Sequence, residues 1–206
     1  MNETAEIAAN KHKDYTGAKI GMWLFLFTEL FLFFGPFLLY SIFRYRYSTD
    51  FINAGSELSL FVGSINTVVL LTSSLSVALS ISALQKGNKK LTLLLLGVTI
   101  VLGAVFLVNK YFEWDAKIVH GLYPGAEALL SRPKGEILFF GLYFFMTGLH
   151  ALHVIAGMSV LAVITFFVMR DKVTQSDYVK IENGGLYWHL VDVIWIYLFP
   201  LFYLIR

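Results

Sequence analysis

Five long apolar stretches determine what this chain can fold into. They occupy about residues 20–43, 59–84, 91–112, 137–169 and 187–205 of the 206-residue sequence. A helix needs roughly 20 apolar residues to cross a bilayer, because each residue advances it by about 1.5 Å. The connections between the stretches are short and polar. The sequence therefore predicts an all-α integral membrane bundle of five transmembrane helices, forming a single domain over residues 1–206.

Composition supports this class and restricts the possible cofactors. Hydrophobic residues make up 57% of the chain and the mean hydropathy is +0.69, which is more apolar than a soluble domain of this size. The formal net charge is only +2, without the basic patch that a nucleic-acid partner requires. Cysteine is absent, which excludes disulfides, iron–sulfur clusters and thiolate metal sites on this chain.

Charge distribution predicts the topology. The polar tail, residues 1–19, lacks an apolar segment followed by a cleavage site, so we expect no removable signal peptide. The tail, the second connection and the fourth connection each carry three lysines or arginines, which makes nine, whereas the opposite side carries six. The positive-inside rule then favours a cytoplasmic amino terminus and a carboxyl terminus on the other side of a bacterial inner membrane.

One carboxyl group, Glu29, lies near the middle of the first stretch, within "FLFTELFLFFGPF" (25–37). A charge at this depth costs several kcal/mol, so such residues face other helices, water or a lipid headgroup. We expect a buried, neutral carboxyl that either hydrogen-bonds to a neighbouring helix or serves in proton handling or lipid contact. Pro36 removes the hydrogen bond to the Leu32 carbonyl and is predicted to bend this helix beside Glu29.

Small and polar residues share one face of the second stretch. The residues that follow Gly63 by three, four and eleven positions are Asn66, Thr67 and Ser74. These spacings place all four residues on one face of a helix. Such a face allows close helix packing and interhelical hydrogen bonds. We therefore assign Asn66 and Thr67 to an interhelical polar network.

Three histidines lie in the fourth and fifth stretches. "TGLHALHVIAG" places Thr147, His150 and His153 on one helix face, and "YWHLVDVIW" places His189 and Asp192 one turn apart. We expect these five residues to belong to the same interhelical hydrogen-bond network and to hold no metal. A haem between His150 or His153 and His189 is the alternative, although intramembrane histidines more often hydrogen-bond between helices.

The end of the third stretch carries a charged pair. "NKYFEWD" places Lys110 and Glu113 at i and i+3, a spacing suited to an ion pair. With Trp114 in an aromatic belt, the predicted arrangement is a solvated, interfacial anchor.

Taken together, the segments resemble subunit III of the haem–copper oxidase family, in a short five-helix bacterial form. The matching motifs, in order over residues 19–206, are "GMWLFLFTELFLFFGPF", "INTVVLLTSSLSVALS", "YFEW", "GLYFFMTGLHALHVIAGM" and "GLYWHLVDVIWIYLFP". The resemblance implies a helical subunit without haem or copper that packs against catalytic subunit I. Subunits I and II would hold the redox centres, and a cleft would bind phospholipid.

The resemblance also assigns individual residues. Glu29 falls at the family's carboxylate, known for its reaction with a carbodiimide, and His150, His153 and His189 match family positions. Ala151 stands where the family usually has glycine. Longer members have two additional helices before the first motif, so the lipid cleft of this shorter form would lack one arm.

The expected function is that of a non-catalytic subunit of a terminal oxidase, which reduces oxygen to water and pumps protons. Its partners would be subunit I directly, subunit II, further subunits and membrane lipids, and its role would be to support proton uptake and to limit inactivation. Two alternatives stay open from the residues: an accessory subunit of nitric oxide reductase and a dihaem b-type membrane anchor. The resemblance places the site for the electron donor, cytochrome c or quinol, on other subunits.

Overall fold

The computed structural model describes residues 15–204, so most of the polar tail lies outside the described residues. The described chain is helical throughout its long segments. The helices are α1 (Tyr15–Arg46), α2 (Ser48–Ser56), α3 (Leu60–Gln85), α4 (Lys89–Val119), α5 (Glu127–Leu130), α6 (Lys134–Met169) and α7 (Val179–Phe199), the last continued by a π-helical turn (Pro200–Leu204).

Five of these helices are long and apolar enough to cross a membrane: α1, α3, α4, α6 and α7 with its π-helical turn. They cover the five stretches expected from the sequence except Ser59, which precedes α3, and residue 205, which lies outside the described residues. The all-α membrane class is confirmed. The helices extend beyond the apolar stretches at several ends, since polar residues continue the hydrogen-bonded backbone into the interface. For example, α4 continues to Val119 and α7 begins at Val179.

Helix α7 forms the centre of the bundle. It packs against α1, α3 and α6, while α3 and α4 pair as a hairpin. The most apolar part of α7 is 56% buried inside the bundle, compared with 11% for α1. The peripheral α1 therefore presents most of its surface outward, whereas α7 contacts protein on most sides.

Trp188 fixes the position of α7. Its side chain is 0% exposed, and its indole Nε1–H donates to Ser73 Oγ on α3 at 3.0 Å. The ring lies between glycines of two other helices: a Cβ added at Gly103 would lie 2.8 Å from Trp188 Cη2, and one at Gly157 would lie 2.9 Å from Cε3. The two glycines are thus required for the close approach of α4 and α6 to the indole.

Polar contacts anchor α2 and the connection before α6 at one end of the bundle. Asp50 Oδ2 of α2 accepts a hydrogen bond from the Gly135 backbone N–H in the first turn of α6, at 3.0 Å. An acidic group at this place satisfies a free amide and interacts favourably with the helix dipole. Arg132 forms ion pairs with Glu57 and Glu136. This end of the bundle is therefore held by charge-assisted contacts.

We expect Gly103→Ala to lower the free energy of unfolding by about 1–3 kcal/mol, because the added methyl group would overlap the rigid indole of Trp188. Thermal denaturation of the detergent-solubilised protein, followed by circular dichroism, measures the effect. Gly97→Ala on the same helix is the matched control, since apart from its chain neighbours and the adjacent helical backbone no atom lies within 4 Å of its added Cβ. Equal melting temperatures for the two variants would contradict the proposed role of Trp188.

Candidate functional site

Glu29 forms a direct contact with a histidine of another helix. Its Oε2 lies 2.7 Å from Nε2 of His153 on α6. The side chains are only 17% and 12% exposed, respectively. The structure thus brings together two of the residues that the sequence singled out, although the spacing of residues along the chain gave no indication of the pairing.

The hydrogen bond at the second ring nitrogen of His153 determines which protonation forms the Glu29–His153 pair can adopt. Nδ1 lies 2.7 Å from the backbone oxygen of Leu149, and a carbonyl only accepts hydrogen bonds, so Nδ1 carries a hydrogen. The short contact between Nε2 and Glu29 Oε2 then requires one further proton, which lies between these two atoms. The pair is either a carboxylic acid with a neutral imidazole or a carboxylate with an imidazolium, and its net charge is zero in both forms.

Aromatic side chains surround the pair. The Phe33 ring meets the His153 imidazole edge-on, with centroids 5.1 Å apart. Tyr187 of α7 donates a long hydrogen bond of 3.5 Å to the His153 backbone oxygen and stacks on Phe25. These contacts limit access of water to the Glu29–His153 pair.

A groove of about 630 Å³ opens between α1, α6 and α7 beside Tyr187. We call it the α1–α6–α7 groove. Its wall is mostly apolar and includes Met22, Val160 and Phe167. The exposed Lys172 and Lys180 place their ammonium groups 5.8 and 5.4 Å from the ring centroid of Phe167. The groove is therefore apolar along its length and has two cations at one end.

Lys110 and Glu113 form a buried cluster with two tyrosines. Lys110 Nζ donates to Glu113 Oε2, Tyr143 Oη and Tyr203 Oη, each at 3.0 Å. Tyr203 in turn donates to Glu113 Oε1 at 2.6 Å. Lys110 is 4% exposed and Glu113 8%. The expectation of a solvated anchor is wrong for this pair, because Tyr143 of α6 and Tyr203 of the π-helical turn cover both charges.

Trp114, the third residue of the predicted interfacial anchor, lies beside the cluster. Its ring packs on Phe144 with centroids 5.3 Å apart, and it is half-buried. Its buried indole nitrogen lies near the Tyr143 hydroxyl but completes no hydrogen bond of good geometry within the described part of the chain. Packing against α6 therefore accounts for its position.

The polar residues of α3 bond to several partners separately. Asn66 Oδ1 accepts from Asn109 Nδ2 at 2.9 Å, and Thr67 Oγ1 accepts from Trp195 Nε1 at 3.0 Å. Ser74 Oγ lies 2.7 Å from His189 Nδ1. These contacts join α3 to α4 and α7 at different levels of the bundle.

His150 and Asp192 lie apart from these contacts. His150 is 0% exposed, lies against the rings of Phe106 and Trp195, and makes no side-chain hydrogen bond within residues 15–204. The Asp192 carboxyl likewise completes no hydrogen bond of good geometry there, and Thr147 bonds only to the backbone of its own helix. The described residues thus form several separate polar contacts where the sequence predicted one network.

The geometry does not favour a haem. Both nitrogens of His153 are engaged in hydrogen bonds, one nitrogen of His189 bonds to Ser74, and His150 is enclosed by aromatic rings. Among residues 15–204, no group of three or more histidine or acidic side chains converges to hold a metal ion.

Sequence reasoning missed Tyr143 and Tyr203 as partners of the buried charges, and Asn109 as the partner of Asn66. Spacing along one helix identifies neighbours on that helix, but these contacts join different helices. A phenolic oxygen in an apolar stretch was the available signal, since a buried tyrosine hydroxyl usually finds a hydrogen-bond partner.

We expect Lys110→Met to destabilise the protein by about 3–5 kcal/mol, because it leaves the Glu113 carboxylate buried without its cation. The double variant Lys110→Met/Glu113→Gln should regain much of this loss. Lys89→Met, in the exposed pair Lys89–Asp171, is the control and should change stability by only about 0–1 kcal/mol. Thermal denaturation in detergent compares the four proteins; no recovery in the double variant would contradict the buried-pair interpretation.

Comparison with known proteins identifies the family. The family model for cytochrome c oxidase subunit III matches residues 2–205. Cytochrome c oxidase subunit 3 of Alkalihalophilus pseudofirmus is 30% identical, over 90% of this chain and 85% of that protein. Cytochrome bo(3) ubiquinol oxidase subunit 3 of Pseudomonas aeruginosa is 29% identical, over 94% and 87%.

A third relative is a fused protein. The heme-copper oxidase subunit I+III of Aeropyrum pernix is 30% identical over 89% of this chain, which corresponds to 22% of that protein. The matches cover almost the whole chain, including every helix described above. The chain therefore belongs to the cytochrome c oxidase subunit III family, whose members are non-catalytic subunits of respiratory haem–copper oxidases.

Proposed function

We propose that the Glu29–His153 pair is a proton-holding site through which this subunit supports proton uptake by subunit I of a bacterial terminal oxidase. The observation that carries the proposal is the 2.7 Å contact between Glu29 Oε2 and His153 Nε2. It joins two groups that can each bind a proton at a depth where ionisable residues are rare and usually functional.

The hydrogen bond to Leu149 supports this role. With Nδ1 held by the Leu149 carbonyl, a proton added to or removed from the pair changes only the Nε2–Glu29 contact. The imidazole keeps its orientation during the exchange, because its anchoring hydrogen bond does not change. Such a pair can exchange protons without a rearrangement of α1 or α6.

The proposed partners follow from relatives and from the exposed surface. Subunits I and III are joined in one chain in the Aeropyrum pernix relative, which supports direct packing of this chain on subunit I. Subunit II, further subunits and membrane lipids complete the proposed surroundings. Trp23, Phe31 and Phe34 of α1 are 60–62% exposed, so this helix offers a wide apolar face to lipid or to another subunit.

We place the chain in the bacterial inner membrane with its amino terminus in the cytoplasm and its carboxyl terminus outside. Lysines and arginines are more frequent at the α3–α4 and α6–α7 connections, which share a side with the amino terminus, than on the opposite side. This excess supports the orientation, because cytoplasmic connections are enriched in basic residues. Lys172 and Lys180 would then lie at the inner leaflet, where anionic lipids attract basic residues.

The α1–α6–α7 groove is the proposed phospholipid site. Its apolar wall suits an acyl chain, and the ammonium groups of Lys172 and Lys180 beside Phe167 suit a phosphate at the membrane surface. The groove also reaches Tyr187, which contacts the Glu29–His153 region. A bound lipid would therefore exclude water from one side of the pair.

For the proton-holding role, we expect Glu29→Gln to accelerate inactivation of the oxidase during turnover and to reduce proton pumping, while assembly is retained. Glutamine keeps the size and hydrogen-bonding capacity of the side chain but cannot exchange the proton. Turnover, protons pumped per electron and the inactivation rate are measured on the purified complex, with the exposed Glu127→Gln on α5 as control.

Combining the substitutions sharpens this test. Because the two residues act as one unit, Glu29→Gln/His153→Gln should be no more impaired than Glu29→Gln alone. If Glu29→Gln leaves all three quantities unchanged, the pair has only a packing role.

For the lipid site, we expect Lys172→Gln/Lys180→Gln to lower the amount of anionic phospholipid that co-purifies with the complex, as counted by native mass spectrometry. The matched control, Lys86→Gln/Lys90→Gln, removes two exposed charges on the same proposed side of the membrane, one from the α3–α4 connection and one from the first turn of α4. Equal lipid content in both double variants would show that the groove does not select an anionic headgroup.

A further inference from the structure

A second histidine lies on the other side of α1. His189 of α7 is half-buried and lines a slot of about 380 Å³ between α1 and α7, whose wall includes Trp23, Phe27 and Val193. We call it the α1–α7 slot. Since His189 Nδ1 is 2.7 Å from Ser74 Oγ, its other nitrogen is the one available to the slot.

Asp192 lies one helical turn beyond His189 and is 3% exposed. Neither of its carboxyl oxygens completes a hydrogen bond of good geometry within the described residues. The Ser74 hydroxyl is the side-chain group close enough to form one, so the same hydroxyl lies beside both His189 and Asp192. An unpaired carboxylate in such a place is costly, whereas the neutral acid is tolerated and can donate a hydrogen bond.

We propose that Asp192 is a second intramembrane proton-binding site, which exchanges its proton with the α1–α7 slot through Ser74 and His189. The Asp192 O–H passes its proton to Ser74 Oγ while the Ser74 hydroxyl proton passes to His189 Nδ1. His189 Nε2–H then releases a proton to water that enters the slot. One proton leaves Asp192, one reaches water, and only O–H and N–H bonds change.

Few other charges face this path, which distinguishes it from a surface network. Lys19 and Glu182 form an ion pair of 2.9 Å one to two turns from the slot toward the membrane surface. Helix α3 carries no ionisable side chain, and on α1 the remaining ionisable group at this depth, Glu29, is occupied by His153. Protons entering the slot would therefore pass the Lys19–Glu182 pair.

The Asp192 site is independent of the function proposed for Glu29. Ser74 belongs to α3, whereas His153 belongs to α6, and no hydrogen bond between residues 15–204 joins the two sites. Substitutions at one site can thus be tested without changing the other.

The test is infrared spectroscopy of the carboxylic acid C=O stretch in the purified complex, before and after transfer to D₂O. Asp192→Asn should remove one acid band, and Asp192→Glu should displace it. The Asp192→Glu variant also retains an acid at this position if Asp192→Asn fails to assemble. An unchanged acid region in both variants would mean that Asp192 is ionised, and the proposal would be wrong.

Exchange kinetics test the path. Ser74→Ala and His189→Leu should each slow the deuterium shift of the Asp192 band at least severalfold. Thr72→Val on the same helix is the matched control, because the Thr72 hydroxyl is exposed and bonds only to the Val68 carbonyl; it should exchange as the unsubstituted protein does. Exchange at the unsubstituted rate in both Ser74→Ala and His189→Leu would refute the relay.

Discussion

The cost of an unpaired charge in hydrocarbon is the constraint on which the rest of this structure depends. Helices satisfy their own backbone in a bilayer, but a charged side chain must find its partner on another part of the protein. Lys110 and Glu113 meet this requirement with two tyrosines from elsewhere in the chain, and Glu29 meets it with His153. Both arrangements are electrically neutral, and both join helices that are distant in sequence.

The positions of the helices depend on a second constraint, close packing around α7. Trp188 occupies the space that two glycines leave open and bonds to Ser73. This contact sets the distance of α3, α4 and α6 from α7. His189, the next residue, consequently faces Ser74 and the α1–α7 slot, so the packing contact and the polar contact are determined by the same turn of helix.

The fold was predictable from the sequence because spanning a bilayer requires long apolar stretches, and five were visible. Glu29 and His153 were recognised separately, since ionisable groups stand out among phenylalanine and leucine, but their pairing depends on how α1 and α6 pack. For Lys110 and Glu113 the pairing was predicted and the environment was not. Their proximity to aromatic residues suggested the membrane interface, whereas Tyr203 covers them from the π-helical turn, 93 residues after Lys110 and 90 after Glu113.

The single shared proton of the Glu29–His153 pair has a mechanical consequence in an energised membrane. A transmembrane potential exerts a force on net charge, worth about 2.3 kcal/mol per elementary charge for each 100 mV. While the pair holds this one proton it is neutral in either tautomeric form, so the field exerts no net force on the pair as a whole. The membrane potential therefore drives the pair as a unit only when it gains or loses a proton.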